Sequence, residues 1–439
     1  MSSAEPSVPL AHPRRAYCAY LSSKAVVSGL LLIWTFASTI LTNSIFTGIQ
    51  YTYRWFPDLA IPTWYTYMIS SIIAFALFLT DIIVYRQGRL YLDRYLCLMW
   101  IYGGTAVLSL IVNRTHISGA EPIYCVVKMI IPMVFTLMYV QYMHARDIRT
   151  ICIILTVFAV LNMCISFVEM NANRAALAVS HISGVFSDRN LFCRFLTIVH
   201  CWLLIEFLAS PRKRLLSASA ALMAAIFVCV TFLMSRAGYL LYLQVNAMVL
   251  LQLGNKTVKR LMPFAFSAIA VLFVVMFYMR FKSEAMDVNP ASDIGRVGTL
   301  KAGFNMIKAS PVFGVGYSMA NTRFSEFQDK HFRGLRNLQT IHNIYINVFA
   351  EQGIVGLAAF LLFNLSILFA LRAACIGVPF VRKKVLLFCY ISLSVLLVHG
   401  IFYHTMDYEG IYWIIIACAI IALRDKRMSE EAQSTVLAA

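Results

Sequence analysis

Residues 353–371 read GIVGLAAFLLFNLSILFAL, nineteen residues without a charge. A membrane-spanning helix needs roughly 20 mostly apolar residues, and this run supplies them. Polarity does not alternate along it, as it would in a barrel strand, which would also be nearer 10 residues long. Working outward, the same pattern recurs. Towards the C-terminus lie 385–402 and 410–423. Towards the N-terminus lie 261–280, 237–253, 215–234, 191–209, 150–169, 122–143, 95–112, 65–85 and 25–43. Segment 191–209 carries Arg194 and Glu206, and 237–253 is short, so these two are the least typical. Of the 439 residues 60% are hydrophobic and 13% charged, where a soluble domain has about 25% charged. The sequence predicts an all-α integral membrane protein with about 12 transmembrane helices.

The net charge of +17 invites a nucleic-acid reading, but the charges are distributed otherwise. With the N-terminus on the cytoplasmic side, the inside segments hold 21 basic residues, among them Arg14, Arg15, Arg212, Lys213, Arg214, Arg424, Lys426 and Arg427. The five short outside loops together hold only five: Arg54, Arg114, Arg174, Arg189 and Arg236. This is the positive-inside bias. It places both termini in the cytoplasm and makes the basicity a topological signal that implies no nucleic-acid partner.

The expected organisation is a cytoplasmic arm (1–24), nine transmembrane helices (25–280), a large outer loop (281–341), a His-bearing helix with three further transmembrane helices (342–423), and a cytoplasmic tail (424–439). A cleaved signal peptide would have a shorter apolar core ending at a small-residue site, so 25–43 reads as a retained anchor. Nearly all of the 11 cysteines lie in apolar runs and none lies between 281 and 341. With no C-x-x-C pair or His/Cys metal spacing, neither disulfides nor structural zinc are expected.

Connections as long as 281–341 are usually functional or disordered. This one is apolar enough for order. Val297, Leu300, Phe304 and Ile307 fall at helical spacing with Lys301 and Lys308 off the stripe, which predicts an amphipathic helix lying on the membrane face. Ser310 and Pro311 stop it, and Gly314-Val315-Gly316 makes a turn. A weaker helical stretch follows from Arg323 to Phe332. The loop reads either as a solvated cap or as a lid that shields a site from water.

Four other outside stretches carry unusual residues: His181 with Asp188-Arg189-Asn190, Ser235-Arg236-Ala237-Gly238, Thr340-Ile341-His342-Asn343, and His404 with Asp407 and Glu409. Arg236, between two closely spaced helices, reads either as a snorkelling helix-end arginine or as an anion ligand. Arg189 and Arg194 flank the start of a helix with Asn190 between them, where free N–H groups favour an anion; Asp188 reads as a helix cap. Arg296 precedes the amphipathic helix. Several arginines facing one membrane surface beside a lid suggest a lipid diphosphate. No D-x-D-like acidic cluster occurs there, so no metal cage is expected. His342 opens an apolar run near a helix N-terminus. It reads as a capping residue or as a general base, since the dipole there favours neutral imidazole. His144, His200 and His399 are cytoplasmic or inside apolar runs.

His342-Asn343, followed after nine residues by Gly353-Ile354-Val355-Gly356, resembles the signature of the superfamily of O-antigen ligases, O-antigen polymerases and bacterial protein O-oligosaccharyltransferases. Gly184-Val185-Phe186-Ser187-Asp188-Arg189-Asn190, Ser235-Arg236-Ala237-Gly238 and Ser310-Pro311-Val312-Phe313-Gly314-Val315-Gly316 are similar to the same family in order and spacing. Where members often have a proline before the asparagine, this chain has Arg189. The resemblance implies a C-type glycosyltransferase-like architecture in a bacterial inner membrane and a metal-independent, cofactor-free enzyme. Its donor would be an undecaprenyl-diphosphate-linked glycan and its acceptor lipid A-core, at the periplasmic face, in lipopolysaccharide biosynthesis. In that reading Arg236, Arg296 and Arg189 bind the diphosphate, His342 deprotonates the acceptor, and Asn343, Asn190 and Asp188 support them. An O-antigen polymerase is the nearest alternative. A lipid-linked glycan transporter is the alternative of a different class, although no internal repeat is present.

Overall fold

A computed structural model describes residues 76, 79, 91–116, 121–172, 189–209, 213–233, 235–253, 271, 274–275, 278, 291–329, 340–376, 378, 380–403 and 410–438. The arm 1–24, the expected helix 25–43, nearly all of 65–85 and 261–280, and His181, Asp188, His404, Asp407 and Glu409 lie outside the described residues. Every regular element within them is helical: α1 (Arg94–Val112), α2 (Glu121–Tyr142), α3 (Ile148–Ala172), α4 (Arg189–Ala209), α5 (Lys213–Phe232), α6 (Arg236–Leu253), α7 (Ala291–Ala309), the single turn α8 (Phe324–Phe327), α9 (Ile344–Ala374), α10 (Phe380–His399) and α11 (Gly410–Ala438), with a 3-10 turn at Arg114–His116. Among the described residues, four helices are long and apolar enough to cross a membrane: α1, Ile148–Val168 of α3, α4 and α9.

The least typical apolar segment is the centre of the bundle. Leu191 to Ile205 of α4 are all buried, as expected of a helix enclosed by others, and α4 packs on α3, α5, α6 and α10. Its charges sit towards its ends and are partnered. Glu206 meets Lys384 of α10 at 3.5 Å, and Arg194 meets His399 at the opposite end of α10. α11 continues as helix through residues 424–438, which contain neither Gly nor Pro to stop it.

The run 353–371 begins where α9 breaks. Gly353 has φ +68°, outside helical geometry, a conformation that glycine adopts without steric cost. The turn after α7 is inserted against the break. Val315 N–H donates to the Ala350 carbonyl (2.9 Å), Gly316 N–H to that of Glu351 (3.0 Å), and Ile354 N–H to that of Pro311 (2.9 Å). A Cβ on Gly353 would lie 2.1 Å from the Val312 oxygen, and one on Gly314 2.3 Å from the Glu351 carbonyl carbon. From the other side α1 presents Tyr102, Thr105 and Ser109, followed at helical spacing by its C-cap Asn113. Ser109 Oγ donates to the Glu351 carbonyl (2.6 Å), Asn113 Nδ2 to that of Gly314 (3.0 Å), and Thr105 Oγ1 to Gln352 Oε1 (3.0 Å). Backbone freed from a helix within an apolar bundle requires such partners. The Ser310–Gly316 and Gly353–Gly356 motifs are therefore two halves of one backbone joint.

The amphipathic helix forms as α7, with small residues on its inward face, Leu300 and Ile307 of the apolar stripe packed partly against them, and the rest of the stripe outward. Thr299, Ala302, Gly303 and Met306 face inward, whereas Val297 and Phe304 are half exposed. Small residues win because α7 lies tightly against α9: a Cβ on Gly303 would be 2.9 Å from Ile346 and 3.1 Å from Ile341. Ala302, Met306, Val315, Ala320, Phe324, Ile341 and Ala350 form a separate small core. It ties α7, α8 and the first part of α9 into one unit.

Candidate functional site

Two helix starts lie side by side at one end of the bundle. Ser235 precedes α6 and caps it, its Oγ accepting from Gly238 N–H at 3.0 Å. The same hydroxyl donates to Asn190 Oδ1 at 2.6 Å, and Asn190 is the second residue of α4. The helices approach so closely that a Cβ on Gly238 would lie 2.0 Å from Cys193 Sγ. The motif Ser235-Arg236-Ala237-Gly238 thus has a local explanation. Serine caps α6 and bridges to α4, glycine admits α4, and Arg236 between them is left facing outward.

In front of these starts is a cavity of about 330 Å³, lined by Arg189, Asn190, Arg236, Ala237, Leu240, Arg296, His399 and Phe402. Arg189 and Arg236 are the first residues of α4 and α6, and Arg296 arrives from α7. Three guanidiniums converge with the positive ends of two helix dipoles, an arrangement that favours an anion with several oxygens. Leu240 and Phe402, both nearly half exposed, add apolar surface to the same wall. Arg296 lies within α7, not before it, since that helix starts at Ala291.

His342 is not among the lining residues, but it stands close by. It directly precedes Asn343, the N-cap of α9, whose side chain accepts from Ile346 N–H at 3.0 Å. Asn343 therefore shapes the helix start on which His342 stands. That start is docked on the end of α10. Ile344 N–H donates to the Gly400 carbonyl (2.8 Å), Asn343 Nδ2 to that of Ile401 (3.0 Å), and Tyr345 OH to that of Leu397 (2.7 Å). A Cβ on Gly400 would lie 2.5 Å from Ile344 Cγ2, so this contact also depends on glycine. Tyr403 joins the two halves of the site. Its ring centroid is 6.1 Å from that of His342 and 5.3 Å from that of His399.

The sequence puts His399 inside an apolar run. In the structure α10 stops at His399, and Phe402 N–H donates back to its carbonyl at 2.8 Å, which puts the imidazole in the cavity wall. The sequence signal for this is the Gly400 that follows it, at the end of the run. Arg194 has a different place from its neighbours. It is buried, 2% exposed, does not line the cavity, and holds His399 Nδ1 at 3.2 Å through Nη1. Arginine only donates, so His399 Nδ1 accepts and the imidazole proton sits on Nε2. His200 remains inside α4, 3.3 Å from Asn246 and stacked on Tyr242. His144 lies near Asp425 at the other end of the bundle, 3.7 Å away. Among the described residues, no group of three or more His, Cys, Asp or Glu side chains is placed to hold a metal ion.

Residues 218–361 match the family model described as O-antigen ligase. The match supports the O-antigen ligase superfamily for this chain, whose members are glycosyltransferase-like enzymes acting in a membrane on lipid-linked glycans. The matched stretch includes Arg236, Arg296, His342 and Asn343. Arg189, Asn190, Arg194 and His399 fall outside it and enter the site through the fold. No curated protein matches the sequence.

Proposed function

We propose, taking the O-antigen ligase superfamily as the premise, that this protein transfers a polysaccharide from undecaprenyl diphosphate to lipid A-core at the periplasmic face of a bacterial inner membrane. The observation that carries the reading is the convergence of Arg189, Arg236 and Arg296 on one cavity at two helix N-termini. Such a site suits a diphosphate, and the exposed Leu240 and Phe402 beside it suit the first isoprene units of a lipid. The arginines would hold the diphosphate and stabilise the charge that grows on it as the glycosidic bond breaks. His342, across Tyr403 from the cavity wall, would accept the proton of the attacking acceptor hydroxyl. Direct attack on the anomeric carbon inverts its configuration. Asn343 and Asn190 act by fixing the helix starts. Asp188, outside the described residues, is assigned a supporting role from its motif alone. Metal independence belongs to the proposal, as do the twelve-helix topology, the large periplasmic loop and the cytoplasmic termini.

The test is transfer by the purified protein from a polyprenyl-diphosphate glycan to lipid A-core, with EDTA present, followed by gel shift. Wild type should transfer and His342→Ala, still folded, should lose roughly 10²-fold or more of the rate. Lengthening of the glycan on its lipid carrier, with no transfer to core, would mean a polymerase. Unchanged donor and acceptor, with lipid moved across a vesicle membrane, would mean a transporter. Retention of anomeric configuration would sink direct attack.

A further inference from the structure

We infer that Arg194 and His399 form a positioning pair that couples the cationic cavity to His342. The inference rests on the proposed transferase reading and adds to it two residues outside both the matched family region and the sequence motifs. Two contacts fix the ring of His399 in the structure. Its Nδ1 is held at 3.2 Å by Arg194 Nη1, and its ring lies 5.3 Å from that of Tyr403, which stands 6.1 Å from His342. His399 is also the last residue of α10. The carbonyls of Gly400 and Ile401, the next two residues, receive Ile344 N–H and Asn343 Nδ2 at the start of α9. One imidazole thus forms part of the cavity wall, begins the turn that carries the His342 helix, and is clamped from behind by a cation.

Arg194 is 2% exposed and His399 1% exposed. A charge so deep in an apolar bundle is costly unless it is held, and intramembrane ionisable residues are a default pointer to function. Arg194 is too deep to meet a ligand in the cavity, which three other arginines already line. What its geometry provides is orientation. It fixes the tautomer and ring plane of His399, and through Tyr403 and the Gly400 turn it sets where His342 stands relative to a diphosphate on Arg189, Arg236 and Arg296. Such a pair affects turnover, while donor binding stays with the three lining arginines.

The test uses the purified full chain, a polyprenyl-diphosphate glycan as donor and lipid A-core as acceptor. His399→Phe keeps a ring against Tyr403 and removes the acceptor for Arg194. Its kcat should fall about 10- to 100-fold while donor affinity, read by direct binding of polyprenyl diphosphate, stays within about threefold. His399→Asn, which offers an amide oxygen near the position of Nδ1, should recover about tenfold of that loss. Should His399→Phe fail to fold with Arg194 left behind it, the double variant Arg194→Met/His399→Phe replaces the pair by apolar groups and is held to the same kcat and binding criteria. Wild-type kcat in either folded variant overturns the inference, as does a loss confined to donor binding or an Asn variant no better than Phe. A wild type that transfers no glycan overturns the functional reading and this inference together. An active wild type with a dead His342→Ala and an indifferent His399→Phe overturns this inference alone.

Discussion

At the scale of single residues, the site is built by side chains that make room for others. Gly238 is the clearest case. Cys193 of α4 fills the space where its side chain would be: an added Cβ would lie 2.0 Å from Cys193 Sγ and 2.9 Å from Cys193 Cβ. Cys193 itself is fully buried. Gly238→Ala should therefore separate the starts of α4 and α6 and destabilise the protein by about 1–3 kcal/mol, the usual cost of overpacking. Because the Ser235–Asn190 bridge spans the same gap, donor affinity should fall as well. Cys193→Ala removes the nearest atom, so the double variant should regain part of the loss. Thermal melts of the four proteins in detergent form the double-mutant cycle that measures this coupling. Additive losses would mean that the two side chains do not share the space.

At the scale of elements, the apolar runs are readable because a membrane helix needs only length and low charge. All nine expected segments within the described residues are helical. What the runs do not show is where a helix breaks or which of its faces is covered. Gly353 stands at the start of the quoted run, but its role as a joint depends on a turn some forty residues upstream. In α7 the apolar stripe marks the helix, but it does not show that close packing against α9 covers Thr299, Ala302 and Gly303. His399 escapes a reading of the sequence for a related reason: an apolar run does not reveal that its last residues have left the helix. The arginines are legible because their charge makes them conspicuous between apolar runs, while only the structure separates Arg194 from them. The joint predicts a contrast between two glycines. Gly353→Ala combines φ +68° with a Cβ 2.1 Å from the Val312 oxygen, and should leave no monodisperse protein on size-exclusion chromatography. Gly104→Ala, inside α1 with nothing within 4 Å of the added methyl, should be neutral or stabilising by about 0.5–1 kcal/mol. Equal behaviour of the two would remove the backbone joint as the reason for the Gly353 motif.

At the scale of the whole molecule, the two ends of the bundle carry different kinds of charge. One end gathers helix starts and arginines around a cavity. The other ties helix ends together. Arg424 of α11, 5% exposed, donates to the Val140 carbonyl and, at 2.6 Å, to that of Met143. These are the last carbonyls of α2 and the turn beyond it, where a cation also complements the helix dipole. Asp425 accepts from Ala145 N–H at 2.8 Å, and Arg427 reaches Asp93, the N-cap of α1, at 3.7 Å. Arg424 thus does more than add to the basic charge of its segment. Removing it leaves acceptors at the end of α2 without their donors, which costs about 1–3 kcal/mol for a buried group. Arg424→Met should therefore lower the melting temperature measurably. The cavity lies at the opposite ends of α4 and α10, so transfer per folded molecule should stay within about twofold of wild type. This is the reverse of the pattern expected for His399→Phe, where turnover falls more than stability warrants. Measuring both variants for melting temperature and kcat in the same detergent separates a latch from a positioning pair. A large kcat loss in folded Arg424→Met would show that the two ends are coupled through the bundle and that the division of labour drawn between them is wrong.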